Sequence, residues 1–309
     1  MNRKAFGIVL ACATSLSALL GGPVLAADKF VVGYTNLADT DVFLGKAKQN
    51  FAAAAKADPS LDVRFADANI DVSKQLDQID NFIAQKVNAI IVVPVDYDGI
   101  VPGIEKANQA GIPVISLIIS SRGGKFTFVG SSNSEAGRLQ GEYMHDHLPK
   151  DAKIVYLQGT LGLYHTAERL KGFQDALKRP DVKVLAMQSA EFDRAKGMQT
   201  TEDWIQTFPH FDGLVAANDQ MALGALQALQ GADRAKGVLI SGIDGLPDTL
   251  KAVADGDIAQ TIYQNAKAEA EAAFSVLEDI KAGKPAPKEK LVPFEPVTKD
   301  NVKQYLTSK

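Results

Sequence analysis

Short apolar runs alternate with helical patterns along the first part of the chain. Residues 89–93 form a near-continuous aliphatic run, which is typical of a strand that a parallel sheet buries on both faces. Strand–helix alternation at such short spacing predicts parallel βαβ units with right-handed crossovers. The predicted strands are 30–34, 61–65, 89–93 and 113–118, and the predicted helices between them are 42–56, 72–85 and 100–110.

A second series of the same kind begins near Lys153. Between the two series, Ser131, Ser132 and Asn133 are suited to cap a helix that extends to about His147. Two series of similar length predict an α/β protein with two doubly wound parallel-sheet lobes. The second series has predicted strands at 154–158, 182–188, 213–217, 238–243 and 258–263, and predicted helices at 167–178, 194–208, 220–230, 247–254 and 266–282.

Two polar residues stand where strands of the second series end. Residues 215–229 read VAANDQMALGALQAL and residues 240–248 read ISGIDGLPD, so Asn218 and Asp244 each follow an apolar run and precede a helix pattern. In an open α/β sheet, residues at the carboxyl ends of strands face the crevice in which ligands bind. The pattern therefore predicts that both side chains point to one place, although both positions are also suited to helix caps.

These two stretches resemble the second-lobe signature of type I periplasmic binding proteins, in particular the ribose and glucose/galactose sugar-binding proteins. The resemblance extends from about Phe30 to Tyr305 and implies the periplasmic binding protein-like I fold, with two lobes joined by a three-strand hinge. It implies that the chain crosses between the lobes near Ser131, Gln264 and Val292. The N-terminal lobe would then contain residues 27–131 and 265–292, and the C-terminal lobe residues 132–264 and 293–309.

The resemblance also implies a function. Proteins of this type are the substrate-binding components of ABC importers, and they deliver a ligand from the periplasm to a permease in the inner membrane. We therefore expect a periplasmic protein that binds a monosaccharide or polyol between its lobes, needs no cofactor and is not an enzyme. Family members are usually monomers. An alternative that the sequence leaves open is a periplasmic receptor for a sugar-like signal, coupled to a chemoreceptor or sensor kinase.

A sugar site needs both hydrogen-bonding groups and apolar surfaces, because sugars are uncharged rings with many hydroxyl groups and apolar C–H faces. The resemblance makes Arg169 of HTAERLKGF a bidentate donor. It makes Phe192 of AEFDRAKG an aromatic wall that faces Phe43 of NLADTDVF. Core packing for the phenylalanines and an exposed position for the arginine are the ordinary alternatives. The full predicted ligand-binding set is Asp41, Phe43, Arg169, Phe192, Asn218, Asp244 and Gln264.

The sequence departs from the ribose type in the first lobe. After GIPVIS, ribose-type relatives carry an Asp-Arg pair that holds the sugar, whereas this chain continues through Ile118 and Ile119. Either Arg122 takes that role or the first-lobe half of the site is rebuilt. Two further candidates are Asp96, which follows a predicted strand, and His165, where glucose/galactose relatives carry an aspartate.

The first 26 residues have the pattern of a cleaved secretory signal peptide. Arg3 and Lys4 precede an apolar core, and residues 24–26 read VLA, which fits the small-residue rule for cleavage. The single cysteine, Cys12, lies in this segment, so we expect no disulfide and no thiolate metal site in the mature chain. The formal net charge of −4 gives no electrostatic basis for binding nucleic acid.

No catalytic pattern stands out in the sequence. It lacks a HExxH zinc motif, a Walker loop and a dinucleotide fingerprint, and it has no nucleophile elbow. The acidic calcium loop of the glucose/galactose relatives is missing from residues 148–153. A transcriptional repressor would need a helix-turn-helix where the signal peptide is predicted. These absences favour a binding protein without a metal in its site.

Overall fold

The computed structural model describes residues 29–306, which form two six-stranded sheets flanked by helices. The predicted signal peptide, with Cys12, lies outside the described residues. The first elements are β1 (Phe30–Asn36), α1 (Val42–Ala57), β2 (Leu61–Asp67), α2 (Val72–Ala84), β3 (Ala89–Val92), α3 (Val101–Gln109), β4 (Val114–Leu117), β5 (Thr127–Gly130), α4 (Asn133–His147), β6 (Lys153–Gln158) and α5 (Tyr164–Leu177). They are followed by β7 (Lys183–Ser189), α6 (Arg194–Thr207), β8 (Gly213–Ala216), α7 (Asp219–Gly231), β9 (Leu239–Asp244), α8 (Pro247–Asp255), β10 (Gln260–Tyr263), α9 (Ala266–Lys281), β11 (Glu289–Leu291), β12 (Glu295–Thr298) and α10 (Lys303–Leu306).

The two sheets have related topologies. The first has the strand order β11-β5-β4-β3-β1-β2, and all its neighbouring strands are parallel. The second has the order β12-β10-β9-β8-β6-β7 and is parallel except at its edge, where β12 runs antiparallel to β10. The predicted fold class, an α/β protein with two doubly wound parallel-sheet lobes, is confirmed.

The central strands are buried on both faces, as their continuous apolar sequences predict. In β3, Ile91 packs with residues of α1 and α9, whereas Ile90 and Val92 pack with residues of α2 and α3 on the other face. The four residues of β8, GLVA, are likewise all buried. Removal of this apolar surface from water is the main stabilising contribution to each sheet.

Three strands and one helix are absent from the sequence predictions. These are β5, β11, β12 and α10, each only three or four residues long, which is too short for a periodic pattern to identify. The proline- and lysine-rich stretch at 284–290, predicted as an exposed connector, runs into β11. Pro296 lies in β12, which an edge strand tolerates because one of its sides needs no ladder hydrogen bonds.

The chain passes between the two sheets three times. It leaves the first sheet after β5, returns between β10 and α9, and leaves again between β11 and β12. We keep residues 27–131 with 265–292, and 132–264 with 293–309, as the proposed extents of the two lobes. Among the described residues, no helix has the length and apolar character needed to cross a membrane.

Candidate functional site

A cavity of about 280 Å³ lies between the two sheets. Its lining comes from the loops that follow β1, β2 and β4 of the first sheet, and from the ends of β6 to β10 of the second sheet. This is the edge at which open α/β sheets bind ligands. Small-molecule pockets are on the order of 300–1,000 Å³, so the cavity suits a ligand about as large as one sugar ring.

The structure brings eight of the ten sequence-predicted residues into the cavity wall. Two of them belong to the first lobe, and the other six come from the second lobe or from the crossing after β10. The eight are Asp41, Phe43, His165, Arg169, Phe192, Asn218, Asp244 and Gln264.

Asp96 and Arg122 are not brought to the cavity. The Oδ1 atom of Asp96 accepts hydrogen bonds from the backbone N–H groups of Asp98 and Gly99, at 3.0 and 2.5 Å. The side chain of Arg122 is 70% exposed, and its Nε lies 2.6 Å from Asp98 Oδ1. Both residues therefore order the loop after β3. Arg122 does not replace the missing Asp-Arg pair, and Ile118 and Ile119 line the cavity there instead.

Arg169 is the buried cation of the cavity. Its Nε donates to Asn133 Oδ1 at 3.0 Å, and its Nη1 donates to the carbonyl oxygen of Ala217 at 2.6 Å. Its Nη2 lies 3.5 Å from Gln264 Oε1, and its Nη1 lies 4.0 Å from Asp244 Oδ1. Burial lowers the pKa of Arg169, while nearby acidic groups, led by Asp244, raise it. The guanidinium is thus fixed from several sides and remains charged.

Close contact between α4 and α5 sets the position of Arg169. A Cβ atom on Gly137 would lie only 1.9 Å from the carbonyl oxygen of Arg169, and one on Gly172 only 2.0 Å from that of Ser134. Only glycine at these two positions lets the helix backbones approach so closely. The approach holds Arg169 within reach of Asn133, the first residue of α4.

Two carboxyl groups, Asp41 from the first lobe and Asp244 from the second, interact electrostatically with Arg169. Burial raises the pKa of Asp244 well above its ordinary value of 3.8; Asp219 and Asp41 act in the same direction, and Arg169 opposes them. Burial also raises the pKa of Asp41, although its hydrogen bond from Leu44 N–H, at 2.8 Å, and Arg169 lower it. Both groups have lost water and can regain hydrogen bonds from a ligand that carries hydroxyl groups.

The aromatic part of the second-lobe wall is formed by Phe192 and His165. Their rings stack with centroids 5.0 Å apart at 25°. A Cβ atom on Gly159 would lie 1.9 Å from Phe192 Cζ, so the absence of a side chain there makes room for the ring. Burial, and secondly Arg169, lowers the pKa of His165 to about 3, so its imidazole is neutral near pH 7. Its buried Nδ1 has no hydrogen-bond partner among residues 29–306.

Asn218 and Gln264 each have structural partners as well as a place in the wall. Asn218 is the N-cap of α7: its Oδ1 accepts from Met221 N–H at 3.0 Å, and its Nδ2 donates to the Phe192 carbonyl oxygen at 3.2 Å. The Nε2 of Gln264 donates to the Glu269 carboxylate at 3.0 and 3.3 Å. The capping role expected as an alternative for Asn218 is present, and its direct contact with a ligand stays a prediction.

Sequence reasoning missed two residues that organise the site. The sequence predicts only a helix cap at Asn133, whereas the structure places Asn133 in the cavity lining, where its Oδ1 accepts a hydrogen bond from Arg169, and makes Ser132 the N-cap. Glu269 is fully buried on the face of α9 that carries Ala266, Ala270 and Ala273. A lone carboxylate among apolar residues at helical spacing was the signal that could have revealed it.

Backbone strain is concentrated around the cavity. Five residues of its wall other than glycine have φ in the left-handed region: Ile70, Ile118, Glu191, Phe192 and Asp244. For β-branched isoleucine this conformation is a true outlier. Such strain persists only where the surrounding structure determines the conformation, and it is common at ligand sites.

A contact between aromatic side chains joins the two lobes. Tyr97, in the loop after β3, stacks on Tyr164, the first residue of α5, with ring centroids 4.4 Å apart at 10°.

Within residues 29–306 no group of three or more His, Cys, Asp or Glu side chains could hold a metal ion. The cavity therefore offers hydrogen bonds, one fixed cation and ring surfaces.

Comparison with known proteins gives a consistent result. Residues 32–285 match the family described as periplasmic binding protein domain. A xylitol-binding protein of Mycolicibacterium smegmatis is 38% identical over 267 residues, covering 85% of this chain and 76% of that protein. The ribose import binding protein of Bacillus subtilis is 33% identical over 257 residues, with 83% coverage of each. A solute binding protein of an ABC transporter from Bacillus halodurans C-125, solved with bound myo-inositol, has a TM-score of 0.87 and 31% identity, covering 91% of this chain and 99% of that one.

Proposed function

Because the chain belongs to the periplasmic binding protein domain family, we propose that it is the solute-binding component of an ABC importer. It binds a monosaccharide or polyol between its two lobes and delivers it to a membrane permease. The observation that carries this proposal is the cavity in which Arg169 is flanked by Asp41 from the first lobe and by Asp244 from the second.

The chemistry of the cavity fits an uncharged, polyhydroxylated ligand. A hydroxyl group can donate to Asp41 or Asp244 and accept from Arg169 at the same time, so a hydroxyl placed between them is satisfied in both roles. Hydrogen bonds to charged groups are stronger than those between neutral groups. The rings of Phe43 and Phe192 supply apolar surface for the C–H face of the ligand.

The ligands named for the relatives support the same class. Xylitol, ribose and myo-inositol are all small, uncharged and rich in hydroxyl groups. They differ in being a linear polyol, a sugar and a cyclitol, so the class extends across polyols and monosaccharides. The family consists of solute-binding proteins, and we propose binding without turnover. We also propose that residues 1–26 direct export and are then removed.

Binding works by closure of the lobes around the ligand. A ligand that contacts residues of both lobes stabilises the closed form over the open form by the difference in its affinity for the two. Periplasmic binding proteins close by hinge motion, and the three crossings between the sheets are where this chain can bend. The closed shape is what the permease recognises.

The test is a thermal-shift screen of the purified protein against pentoses, hexoses, deoxy sugars, cyclitols and linear polyols. A ligand at 100 times its Kd adds about 2.7 kcal/mol to the stability. For a chain of this length, that raises Tm by roughly 5–10 °C, at about 2–4 °C per kcal/mol. A panel in which no compound raises Tm would contradict the proposal.

A matched pair of variants separates the site from the rest of the fold. Asp41→Asn keeps an acceptor for the α1 cap but removes the charge that faces Arg169, and we expect it to weaken the best ligand by about tenfold or more. Asp39→Asn alters a carboxylate of the same loop that does not line the cavity and instead binds Asn36 and Lys48. This control should keep the wild-type affinity.

A further inference from the structure

The two lobes contribute walls of very different polarity to the cavity. Apart from Thr40 and Asp41, the lining from the first lobe consists of carbon side chains, which we call the apolar wall: Leu37, Ala38, Phe43, Leu44, Ile70, Ile118 and Ile119. The second lobe and the crossing after β10 supply most of the hydrogen-bonding side chains, with Arg169, Asn133 and Asp244 at their centre.

The backbone N–H groups of the three isoleucines in the apolar wall already donate within the protein. Ile118 N–H donates to the Val129 carbonyl oxygen and Ile119 N–H to that of Leu117, both at 2.7 Å. Ile70 N–H donates to the Leu37 carbonyl oxygen at 2.9 Å. A ligand hydroxyl placed against these residues therefore receives no donor from their backbone.

The isoleucine pair is held firmly in place. Ile118 has φ +67°, and its Cα lies 2.9 Å from where a Cβ of Gly130 would be, so the loop packs tightly onto the end of β5. The carbonyl oxygen of Ile119 accepts a hydrogen bond from the buried Ser116 Oγ at 2.7 Å. Ile118 and Ile119 are only 6% and 5% exposed. Their side chains are thus a fixed part of the cavity surface.

The first lobe also contributes one carboxylate to the cavity lining, Asp41, next to the apolar wall. Asp41 Oδ1 already accepts a hydrogen bond from Leu44 N–H at 2.8 Å, and its carboxyl group interacts electrostatically with Arg169 and Asp244 of the second lobe. A hydroxyl buried against Ile118 and Ile119 would lose water and gain no hydrogen bond from their side chains or backbone N–H groups, whereas a methyl or methylene group there would gain from burial.

We infer that the preferred ligand is a deoxy sugar or a similarly reduced polyol, with a methyl group or deoxy carbon directed at Ile118 and Ile119. This inference rests on the proposed function and narrows its ligand class. Fully hydroxylated compounds of the same shape bind more weakly, because their extra hydroxyl is left unpaired against the apolar wall. A difference of about tenfold is expected for one such hydroxyl.

Isothermal titration calorimetry with matched sugar pairs tests the inference. The pairs are D-fucose and D-galactose, L-fucose and L-galactose, L-rhamnose and L-mannose, 6-deoxy-D-glucose and D-glucose, and 2-deoxy-D-ribose and D-ribose. In the pair that contains the tightest ligand, the deoxy member should bind about tenfold more tightly. Equal or tighter binding by its hydroxylated partner overturns the inference but leaves the proposed function standing. A panel in which no sugar binds overturns the inference, and the proposed function then falls only if the cyclitols and linear polyols of the thermal-shift screen fail to bind as well.

Two variants of nearly equal shape link the preference to the apolar wall. Ile119→Thr places a hydroxyl group in the wall, and Ile119→Val gives the same shape without it. For the best pair, we divide the Kd of the hydroxylated sugar by the Kd of the deoxy sugar. This ratio should be smaller in Ile119→Thr than in Ile119→Val by about fivefold or more. The same ratio in both variants would show that the wall does not select the ligand.

Discussion

Ser131 Oγ donates a hydrogen bond to Glu269 Oε1 at 2.7 Å, which joins the first crossing between the sheets to the start of α9. The same carboxylate oxygen accepts from Gln264 Nε2 at 3.0 Å, and Gln264 belongs to the second crossing. Gln264 Oε1 in turn lies 3.5 Å from Arg169 Nη2. One buried carboxylate thus connects two segments of the hinge with the cation of the binding cavity.

The first prediction concerns the pH dependence of stability that Glu269 causes. Burial raises its pKa from 4.5 to about 7, although Gln264, Ser131 and Arg169 act in the opposite direction. The folded protein therefore binds this proton more tightly than the unfolded chain. The stabilisation is complete below about pH 4.5 and is lost as the pH rises through about 7. A shift of this size corresponds to roughly 3 kcal/mol.

Urea unfolding between pH 5 and 8 measures this effect. Between these limits the free energy of unfolding of Glu269→Gln should fall by less than that of the wild type, since glutamine cannot titrate. Other groups with raised pKa values, such as Asp219 and Asp244, titrate in both proteins and cancel in the comparison. Glu271→Gln, an exposed neighbour on the same helix that faces Lys267, should follow the wild type. Parallel pH profiles for wild type and Glu269→Gln would refute the prediction.

The second prediction is that Arg169 stabilises the ligand-free fold. Arg169→Met leaves Asp244 buried without its cation and leaves Asn133 Oδ1 and the Ala217 carbonyl oxygen without their donor. Each buried acceptor left without its donor costs about 1–3 kcal/mol. Lys171→Met, two residues along the same helix with a 66% exposed side chain, should change stability by less than about 0.5 kcal/mol. Urea unfolding of both variants without ligand measures the difference. Equal stability of the two variants would mean that the fold does not depend on the hydrogen bonds of Arg169.

The third prediction concerns the stacked rings of Tyr97 and Tyr164. Because they come from different lobes, the stack exists only while the lobes are close. An aromatic pair contributes about 0.5–1.5 kcal/mol beyond its area, so Tyr164→Ala should weaken ligand affinity by about 2- to 10-fold.

Calorimetry on the single and double alanine variants tests the ring pair. In the double variant Tyr97→Ala/Tyr164→Ala, the effects should be less than additive, which is the signature of a direct contact. Tyr164→Phe keeps the ring and should bind as the wild type does. Additive losses would indicate that each tyrosine acts independently of the other.

The sequence predicted the fold and the site best where a long run of alternating strands and helices is present and a polar residue follows a strand. Alternating strands and helices predicted the α/β architecture, and polar residues after apolar runs located Asn218 and Asp244 at the cavity. The short edge strands β11 and β12 could not be found in this way, since three or four residues carry no periodicity and their pairing partners are distant in sequence.

The site was harder to predict where a residue's role depends on packing. Arg122 had the right chemistry, but its side chain points to solvent beside Asp98. Glu269 lies inside α9, one turn past the end of β10, and reaches the site through Gln264, so its role depends on how α9 packs. The isoleucines after β4 were recognised as a departure from related proteins, but their meaning required the structure, which shows that they form cavity wall.

The uneven polarity of the cavity has a consequence for the order of events during capture. The second lobe holds most of the donors and acceptors, so an open molecule can already engage the hydroxyl groups of a ligand. When the first lobe closes in the proposed motion, the apolar wall covers the ligand and displaces the remaining water. Under the proposed closing motion, we expect the second lobe to govern the association rate of the ligand and the opening of the first lobe to govern its residence time.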